Sequence, residues 1–359
     1  MNINLVDLRP GCILASDVYK LTNRPIIKAK TVIEDEHINI LKAFLINEIE
    51  IESTLIDGSQ YIHTSETTIN DIEKKKNVSF LEQFLYSVKQ YKKEFTSWQS
   101  GLPVDIAKIR KLLLPLLEDL NKLEKELFSL YHLSNKRDYI YQHSVAVGLI
   151  SALIAKRMDY SYGDIVQVAL AGCLSDAGMA RINDQLVHKV EPLTEEEFNE
   201  VKNHTKYSLT MIPDHPLLKK ETKLAIFQHH ERIDGSGYPL GNTENKIHSF
   251  AKIIAVADTF HAMSSERLYR KKQSPFLVIE KMLQESFGKF DLITMNSLIN
   301  AIIHFTTGST VRLSNGEKAK IIFTEGKTPT RPIVKLVDTD RIIELEKNRH
   351  LFIEEVIEY

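Results

Sequence analysis

Apolar residues recur along most of the chain with the spacing of an α-helix. From about residue 103 to 305 they return every three or four positions, and no alternating stretch interrupts them. Pro103 and Asp105 can start the first of these helices, whose leucines give a broad apolar stripe. The pattern therefore predicts a mainly α protein built around one all-helical domain.

Both ends of the chain carry short alternating or apolar runs instead. The sequence Ser314-Asn315-Gly316 is a strong hairpin turn between two of them, and residues 36–44 have helical spacing. The predicted strands are residues 11–15, 26–27, 49–51, 309–313, 319–323 and 333–337.

These changes of pattern divide the chain into four predicted parts. Residues 1–57 form a small N-terminal α/β module, 58–102 a helical linker, 103–307 the helical domain, and 308–359 a small β-rich C-terminal appendage. The linker is polar and contains three consecutive lysines, which indicates a solvated surface.

Composition restricts the functions that are open to this chain. With 359 residues, 43% of them apolar, it can bury a substantial core, and its two cysteines lack any partner motif, which indicates a reducing cytoplasm. The balance of 46 basic and 48 acidic residues argues against indiscriminate binding to nucleic acid, so we expect no DNA partner. No apolar run is long enough to cross a membrane. We therefore expect a cytoplasmic protein without a membrane partner.

The richest chemistry lies between His229 and Pro239, where the sequence is His-His-Glu-Arg-Ile-Asp-Gly-Ser-Gly-Tyr-Pro. Adjacent helical side chains diverge by about 100°, so two neighbouring histidines serve one site only at a helix end or when approached from both sides. The glycines permit a turn whose backbone can come close to a ligand. The plainer alternative is a helix that stops at histidine, glycine and proline.

Four further residues have a similar character. His143 heads an apolar helix, Asp176 and Asp258 end apolar runs, and His204 follows an acidic amphipathic segment. An isolated carboxylate is costly to bury, so each aspartate needs a cation, donors or a metal ion. Taken singly, each residue is more often a satisfied core or capping residue. Together, histidines and aspartates without cysteine suit Mn, Fe or Zn.

A basic cluster follows Asp258 closely, at Arg267, Arg270, Lys271 and Lys272. Arginine binds phosphate oxygens through two parallel hydrogen bonds, so this cluster is the candidate phosphate side of the site. The alternative is a solvated basic helix end.

These residues together resemble the HD-GYP group of the HD metal-dependent phosphohydrolases, over residues 103–305 and more loosely in the flanks. The resemblance rests on the motif at 229–239, on Tyr141-Gln142-His143-Ser144, on the segment from Leu193 to His204, and on Val256-Ala257-Asp258 with Arg267-Leu268-Tyr269-Arg270. The first of these motifs is highly specific. The resemblance implies a phosphodiesterase that opens cyclic di-GMP to linear pGpG, in some members on to GMP, with Fe or Mn as its divalent ion.

The resemblance also implies a role for each residue. The implied ligands are His143 and Asp258 for a first metal ion, His204, His229 and His230 for a second, and Asp176 as the bridge between them. We take Asp176, His143 and Glu231 as the catalytic candidates. The substrate-binding candidates are Arg267, Arg270, Asp234, Gly235, Gly237, Tyr238 and Pro239. The loop at 235–239 is also associated with docking of signalling proteins, and a homodimer is compatible with this interpretation.

The chain departs from the family at four positions. The expected His-Asp pair is Ser175-Asp176 and the lysine that should follow is Met179, so a ligand of the first ion and a phosphate-facing cation are both missing. Tyr139 replaces a glutamate that supports a third ion in some members, so we expect one or two ions. His261, where aspartate is usual, either supplies the missing nitrogen or reflects simple drift, which we weigh as the better explanation.

Two classes of function follow from these observations. The first is a cyclic di-GMP phosphodiesterase attenuated by the loss of histidine and lysine, and the retained ligands and both arginines favour it. The second is an inactive module that senses cyclic di-GMP or docks partners, which the double loss within one motif favours. A third interpretation leaves one ion merely bracing the helices. We prefer the enzyme.

Overall fold

The computed structural model describes residues 1–19, 25–44, 46, 48–61, 79–132, 138–265, 273–285, 288–302, 308–324 and 328–358. The helices in this part of the chain are α1 (Asp35–Ala43), α2 (Phe80–Gln99), α3 (Ile106–Leu117), α4 (Leu120–His132), α5 (Tyr139–Arg157), α6 (Tyr162–Leu174), α7 (Asp184–Val187), α8 (Glu195–Lys202), α9 (His204–Met211), α10 (Lys220–Gln228), α11 (Ser249–Ser264), α12 (Pro275–Glu285) and α13 (Leu292–Ile302). The strands are β1 (Asn2–Asn4), β2 (Glu48–Glu50), β3 (Thr310–Leu313), β4 (Lys318–Phe323), β5 (Ile333–Leu336), β6 (Ile342–Glu344) and β7 (Ile353–Glu358). The predicted mainly α class, with a mixed N-terminal unit and a C-terminal sheet, is confirmed.

Helix α5 is the centre of the helical core. Every residue from 142 to 155 is buried, because α2, α6, α11 and α13 pack around it. A Cβ atom at Gly148 would lie 2.7 Å from the carbonyl oxygen of Ala169, so the glycine lets α5 and α6 cross in close contact. This crossing brings His143, near the start of α5, towards Asp176, which follows the end of α6. None of the helices in the described part of the chain has the length and apolarity to span a bilayer.

Side-chain caps fix the starts of helices that lead into the site. The hydroxyl of Ser161 accepts a hydrogen bond from the amide of Asp164 at the start of α6. Thr194 and Glu197 form a capping box at the start of α8, and the His248 side chain caps α11. Local sequence therefore determines where these helices begin.

Helix α2 belongs to the large core, which corrects the solvated linker predicted for residues 58–102. Tyr91 and Trp98 are fully buried on one face of α2, and the Tyr91 hydroxyl donates to the carbonyl oxygen of Cys173 at 2.9 Å. The prediction was wrong for α2 because it followed the overall polarity of the segment and not the apolar residues that recur within it at helical spacing. The three lysines at 74–76 lie outside the described residues. The division of the chain into four parts remains a prediction.

The two ends of the chain form small antiparallel sheets. Strand β1 pairs with β2, and the C-terminal strands follow the order β6-β5-β4-β3-β7. The predicted hairpin is confirmed, since the Gly316 amide donates to the carbonyl oxygen of Leu313 in the turn between β3 and β4. The sequence did not predict β6 and β7, since neither stands out from its surroundings as an apolar or alternating run.

Buried ion pairs connect the C-terminal sheet to its neighbours. The Arg312 side chain on β3 is 1% exposed, and it donates to Asp17 of the N-terminal unit and to Glu355 on β7. Arg331 forms two hydrogen bonds with the Glu280 carboxylate on α12. The sheet is thus attached both to the N-terminal unit and to the helical core.

Candidate metal centre

The six predicted metal ligands meet near the start of α5 in two groups that share Asp176. The first group is His143, Asp176 and Asp258, and the second is Asp176, His204, His229 and His230. In each group the ligand atoms lie within 4.8 Å of one another. Residues separated by more than a hundred positions therefore form one constellation.

The segment that carries Asp176 lies directly against the start of α9. A Cβ atom at Gly178 would lie 2.0 Å from the carbonyl oxygen of His204, so only glycine permits this contact. The Gly178 amide donates to the Ser208 hydroxyl at 2.7 Å, and that hydroxyl donates to the carbonyl oxygen of Ser175 at 2.6 Å. The main chain thus sets the separation between Asp176 and His204.

In the second group, the main chain fixes the tautomers of two imidazoles. Nδ1 of His204 lies 2.6 Å from the Val201 carbonyl oxygen and Nδ1 of His229 lies 2.7 Å from that of Ile226, so both nitrogens donate. In the neutral rings, both Nε2 atoms then carry lone pairs, yet they lie 3.3 Å apart and 3.3 and 3.6 Å from Asp176 Oδ1. Acceptors that converge in this way need a cation between them, so this donor set fits a divalent metal ion.

In the second group, burial and nearby charges favour the protonation states that a metal ion needs. In the first group, burial would lower the pKa of the His143 imidazole, but its hydrogen bonds to Asp176 and Asp258 outweigh burial and raise that pKa. Burial would raise the pKa of the Asp176 carboxyl, but the surrounding histidines, His143 first, outweigh it and hold this pKa well below its usual range. Burial lowers the pKa of His204, and burial together with the charge of His229 lowers the pKa of His230 well below its usual value. A carboxylate beside neutral imidazoles is the form that binds a cation.

The first group offers fewer ligands than the second. Nε2 of His143 lies 2.9 Å from Asp258 Oδ1 and 3.4 Å from Asp176 Oδ2, so the Asp176 carboxylate gives one oxygen to each group. Ser175 contributes nothing here, because its hydroxyl donates to the Gly172 carbonyl oxygen at 2.8 Å. Three ligands in the first group thus stand against four in the second.

A cavity of about 1020 Å³ opens onto both groups. The ligands that line it are His143, Asp176, His204, His230 and Asp258. Much of its wall comes from the segment 186–195, with Met179 and Phe198 beside it. Our sequence reasoning did not assign this wall, although the apolar residues between α7 and α8 were a signal for it. The cavity is large enough for a nucleotide-sized ligand.

Comparison with known proteins identifies the helical part of the chain. Residues 123–292 match a family described as HD domain. The chain carries an HD domain over these residues. The motif at 229–239 lies within them and is the part that resembles the HD-GYP type.

Curated relatives and a solved structure resemble this HD domain protein. The cyclic di-GMP phosphodiesterase PA4108 of Pseudomonas aeruginosa is 28% identical over 242 residues, which cover 67% of this chain and 58% of that protein. A cyclic di-GMP phosphodiesterase of Thermotoga maritima is 35% identical over 165 residues, which cover 45% of this chain and 42% of that protein. The chain therefore spans about half the length of the curated relatives it matches. The structure of Bd1817, a HDG"Y"P protein from Bdellovibrio bacteriovorus, matches with a TM-score of 0.48 and 14% identity, covering 85% of this chain and 99% of that one.

His261 does not join the first group of the HD domain, which corrects the compensating role that we considered. Its Nδ1 lies 2.9 Å from Nδ1 of His143, on the side of that ring away from the two aspartates. The Tyr139 hydroxyl lies 3.1 Å from the same nitrogen, and its ring stacks on His143. Within the described residues, the three-ligand group holds no replacement for the missing imidazole.

Glu231 braces the loop that carries the glycine-tyrosine-proline motif. Its two carboxylate oxygens accept hydrogen bonds from the amides of Leu240 at 2.8 Å and Asn242 at 2.9 Å, and the residue is 2% exposed. It is not among the residues that line the cavity. The structure thus supports a bracing role for Glu231 in place of the catalytic role that we expected.

Tyr238 is the member of this motif that faces the cavity. Its ring stacks on His230 with centroids 4.6 Å apart, and burial raises its pKa. A Cβ atom at Gly237 would lie 2.4 Å from the carbonyl oxygen of His230, so glycine is required for the loop to fold back over the ligands.

The other substrate-binding candidates do not reach the cavity or are not described. Asp234 is exposed and accepts a hydrogen bond from the Ser236 amide, which closes the turn at Gly235, where φ is +80°. Pro239 follows Tyr238 through a cis peptide bond and does not line the cavity. The predicted phosphate contacts Arg267 and Arg270 lie outside the described residues.

Proposed function

We propose that the HD domain of this chain hydrolyses a phosphodiester bond of a cyclic dinucleotide. Cyclic di-GMP is the proposed substrate and linear pGpG the proposed product, which some members of the family cut further to GMP. The observation that carries the proposal is the convergence of two Nε2 atoms, from His204 and His229, on the Asp176 carboxylate beside a nucleotide-sized cavity. The names of the curated relatives support the choice of substrate.

A divalent cation bound in these groups supplies Lewis acidity towards a phosphoryl oxygen and lowers the pKa of water. We propose Fe or Mn, since nitrogen and oxygen ligands without thiolate suit these ions. The second group should bind its ion more tightly, because it offers four ligands and two of its imidazoles are oriented by the main chain. The first group should bind weakly, since Ser175 turns away from it.

The side chains around the ligands have separate tasks in this proposal. Asp176 holds the two groups at a fixed spacing, because each of its oxygens faces one of them. The Tyr238 ring, stacked on His230 at the cavity wall, offers a flat face to a base of the substrate. Arg267 and Arg270 are proposed to bind the phosphates by two parallel hydrogen bonds each.

Turnover is proposed to be slow. Met179 lines the cavity, so an apolar side chain occupies the place where the resemblance implies a phosphate-facing lysine. Weak binding at the first group removes further stabilisation of the transition state. Losing one ion of a pair costs several kcal/mol, which lowers the rate by roughly a thousandfold.

Hydrolysis assays on matched variants test this proposal. Protein reconstituted with Mn²⁺ or Fe²⁺ is incubated with cyclic di-GMP, 3'3'-cGAMP or cyclic di-AMP, and the products are separated by chromatography. We expect slow formation of pGpG by the parent, none by His229→Ala, and a rate at least about tenfold higher in Ser175→His with Met179→Lys. The half-buried His215 lies outside the cavity and both ligand groups and provides a control, since His215→Ala should leave the rate unchanged. The proposal is refuted if the metal-loaded parent and the metal-loaded double variant both leave all three nucleotides uncleaved.

A second function is favoured because the expected histidine and lysine are both missing: Ser175 turns away from the first group, and the apolar Met179 lines the cavity. In it, the chain binds cyclic di-GMP without cleaving it and signals by docking a partner at the loop 235–239. Binding of cyclic di-GMP to the parent in equilibrium dialysis, with the nucleotide recovered uncleaved, would favour this function. The double variant should then show no gain in hydrolysis rate. A cytoplasmic location and a homodimer complete what we propose for the chain.

A further inference from the structure

We propose that His261 is a positioning residue that sets the tautomer of His143 and thereby controls binding of an ion at the first group. His261 is not itself a proposed metal ligand, and it acts through its contact with the His143 ring. The inference rests on the metal centre of the proposed function, and it assigns a task to a buried histidine that this function does not use.

The contact between the two rings admits a single proton. The Nδ1 atoms of His143 and His261 lie 2.9 Å apart, and the ring centroids 5.0 Å. One nitrogen must donate and the other accept, because two neutral rings cannot both present a lone pair or both present a proton at this distance. Both residues are 3% exposed, so solvent cannot easily replace either partner.

The direction of this hydrogen bond decides whether His143 can bind an ion. When His143 donates from Nδ1, its Nε2 carries a lone pair towards Asp258 Oδ1 at 2.9 Å and Asp176 Oδ2 at 3.4 Å. When His261 donates instead, the proton of His143 sits on Nε2 and occupies the direction that an ion needs. His261 as acceptor is therefore the arrangement that supports metal binding.

The surroundings of His261 are compatible with the acceptor role. With a lone pair on Nδ1, its proton lies on Nε2. The Ser265 hydroxyl lies 3.3 Å from both ring nitrogens of His261, so it can serve as a partner in this tautomer. The Tyr139 hydroxyl, 3.1 Å from Nδ1 of His143, can accept from the same donor. Helix α11 carries both Asp258 and His261 one turn apart, so the ligand and the positioning residue move as one element.

Metal titration of three variants tests the inference. In a calorimetric titration of the full chain with Mn²⁺, the step that Asp258→Asn removes is assigned to the first group. We expect His261→Ala to weaken that step by about 10-fold to 100-fold, the usual effect of removing a partner of a metal-bound histidine, and to leave the other step unchanged. His261→Asn should restore it, since its carbonyl oxygen accepts at the position of Nδ1.

A control and a spectroscopic measurement separate positioning from general destabilisation. His248 caps the same helix and lies outside both groups, so His248→Ala should leave both binding steps unchanged. In ¹⁵N-histidine spectra, the parent and His261→Asn should show His143 protonated at Nδ1, and His261→Ala should lose that preference. An unchanged first step in His261→Ala, or no recovery in His261→Asn, would overturn the inference. If the parent binds an ion only at the second group, this inference fails while the proposed function stands. If the parent binds no ion at all, the proposed metal centre fails as well.

Discussion

At the scale of single residues, the hydrogen-bond partners decide what each polar side chain of the site can do. His229 gives Nδ1 to the main chain and turns Nε2 towards Asp176, whereas Glu231, two residues later, gives both carboxylate oxygens to backbone amides. The sequence pattern predicted that both residues matter, but it could not separate their tasks. The amides that engage Glu231 come from a loop whose path depends on how Gly237 packs.

Replacing Glu231 should affect stability far more than chemistry. We expect Glu231→Ala to lower the free energy of unfolding by about 2–4 kcal/mol, because two partly buried backbone amides lose a charged acceptor. Glu231→Gln keeps one acceptor, so it should cost about half as much and retain hydrolysis. Urea unfolding and product analysis measure both effects. The exposed Glu244 is the control, with a cost under about 0.5 kcal/mol for Glu244→Ala. Normal stability with lost hydrolysis in Glu231→Gln would restore the catalytic role.

At the scale of helices and strands, the spacing of apolar residues and the turn residues predicted most of the helices and one hairpin. The helices from α3 to α13 and the hairpin at 314–316 follow from local spacing and turn residues. The packing partner of α2 could not be predicted in this way, since an apolar stripe indicates that one face is buried but not that α5 covers it. The buried ion pairs of Arg312, which we call the Arg312 joint, were also not predicted. The partners Asp17 and Glu355 lie 295 and 43 positions away in the chain.

Breaking the Arg312 joint should loosen the N-terminal unit from the C-terminal sheet. We expect Arg312→Met to cost about 3–5 kcal/mol, because it leaves the Asp17 and Glu355 carboxylates facing each other without their buried cation. Denaturant unfolding measures the cost, and limited proteolysis should cut the N-terminal unit faster. Arg349 is the matched control, since its side chain is 72% exposed and pairs with Glu346, so Arg349→Met should cost under about 0.5 kcal/mol. Equal effects of the two substitutions would contradict this account of the joint.

At the scale of the whole molecule, the candidate centre joins helices that are far apart in the chain. Ligands come from α5, α9 and α11 and from the segments after α6 and α10, so an ion would link five stretches of the core. The ligand set could be predicted only through a family resemblance, because spacing alone does not reveal which helices meet. Binding to the folded state alone stabilises a protein by mass action.

Removal of metal should therefore lower the melting temperature of the chain. At an Mn²⁺ concentration of 100 times the dissociation constant, one ion contributes about 2.7 kcal/mol, or about 5–10 °C for a domain of this size. We expect a chelator to abolish this shift in the parent and to have a much smaller effect on His204→Ala, which lacks a ligand of the four-residue group and keeps only the weaker three-residue group. Differential scanning fluorimetry measures it. An equal metal-dependent shift in His204→Ala would contradict the assignment of these ligands.

The contact at Gly178 bears on how such a site changes over evolutionary time. Backbone atoms, and not metal ligands, hold the segment after α6 against the start of α9 there. A change from histidine to Ser175, or from lysine to Met179, therefore leaves the scaffold in place. A single added methyl group at Gly178 would instead drive the two segments apart and separate Asp176 from His204. A protein of this architecture can therefore lose reactivity through single substitutions while its fold persists. The same substitutions, reversed, can restore that reactivity.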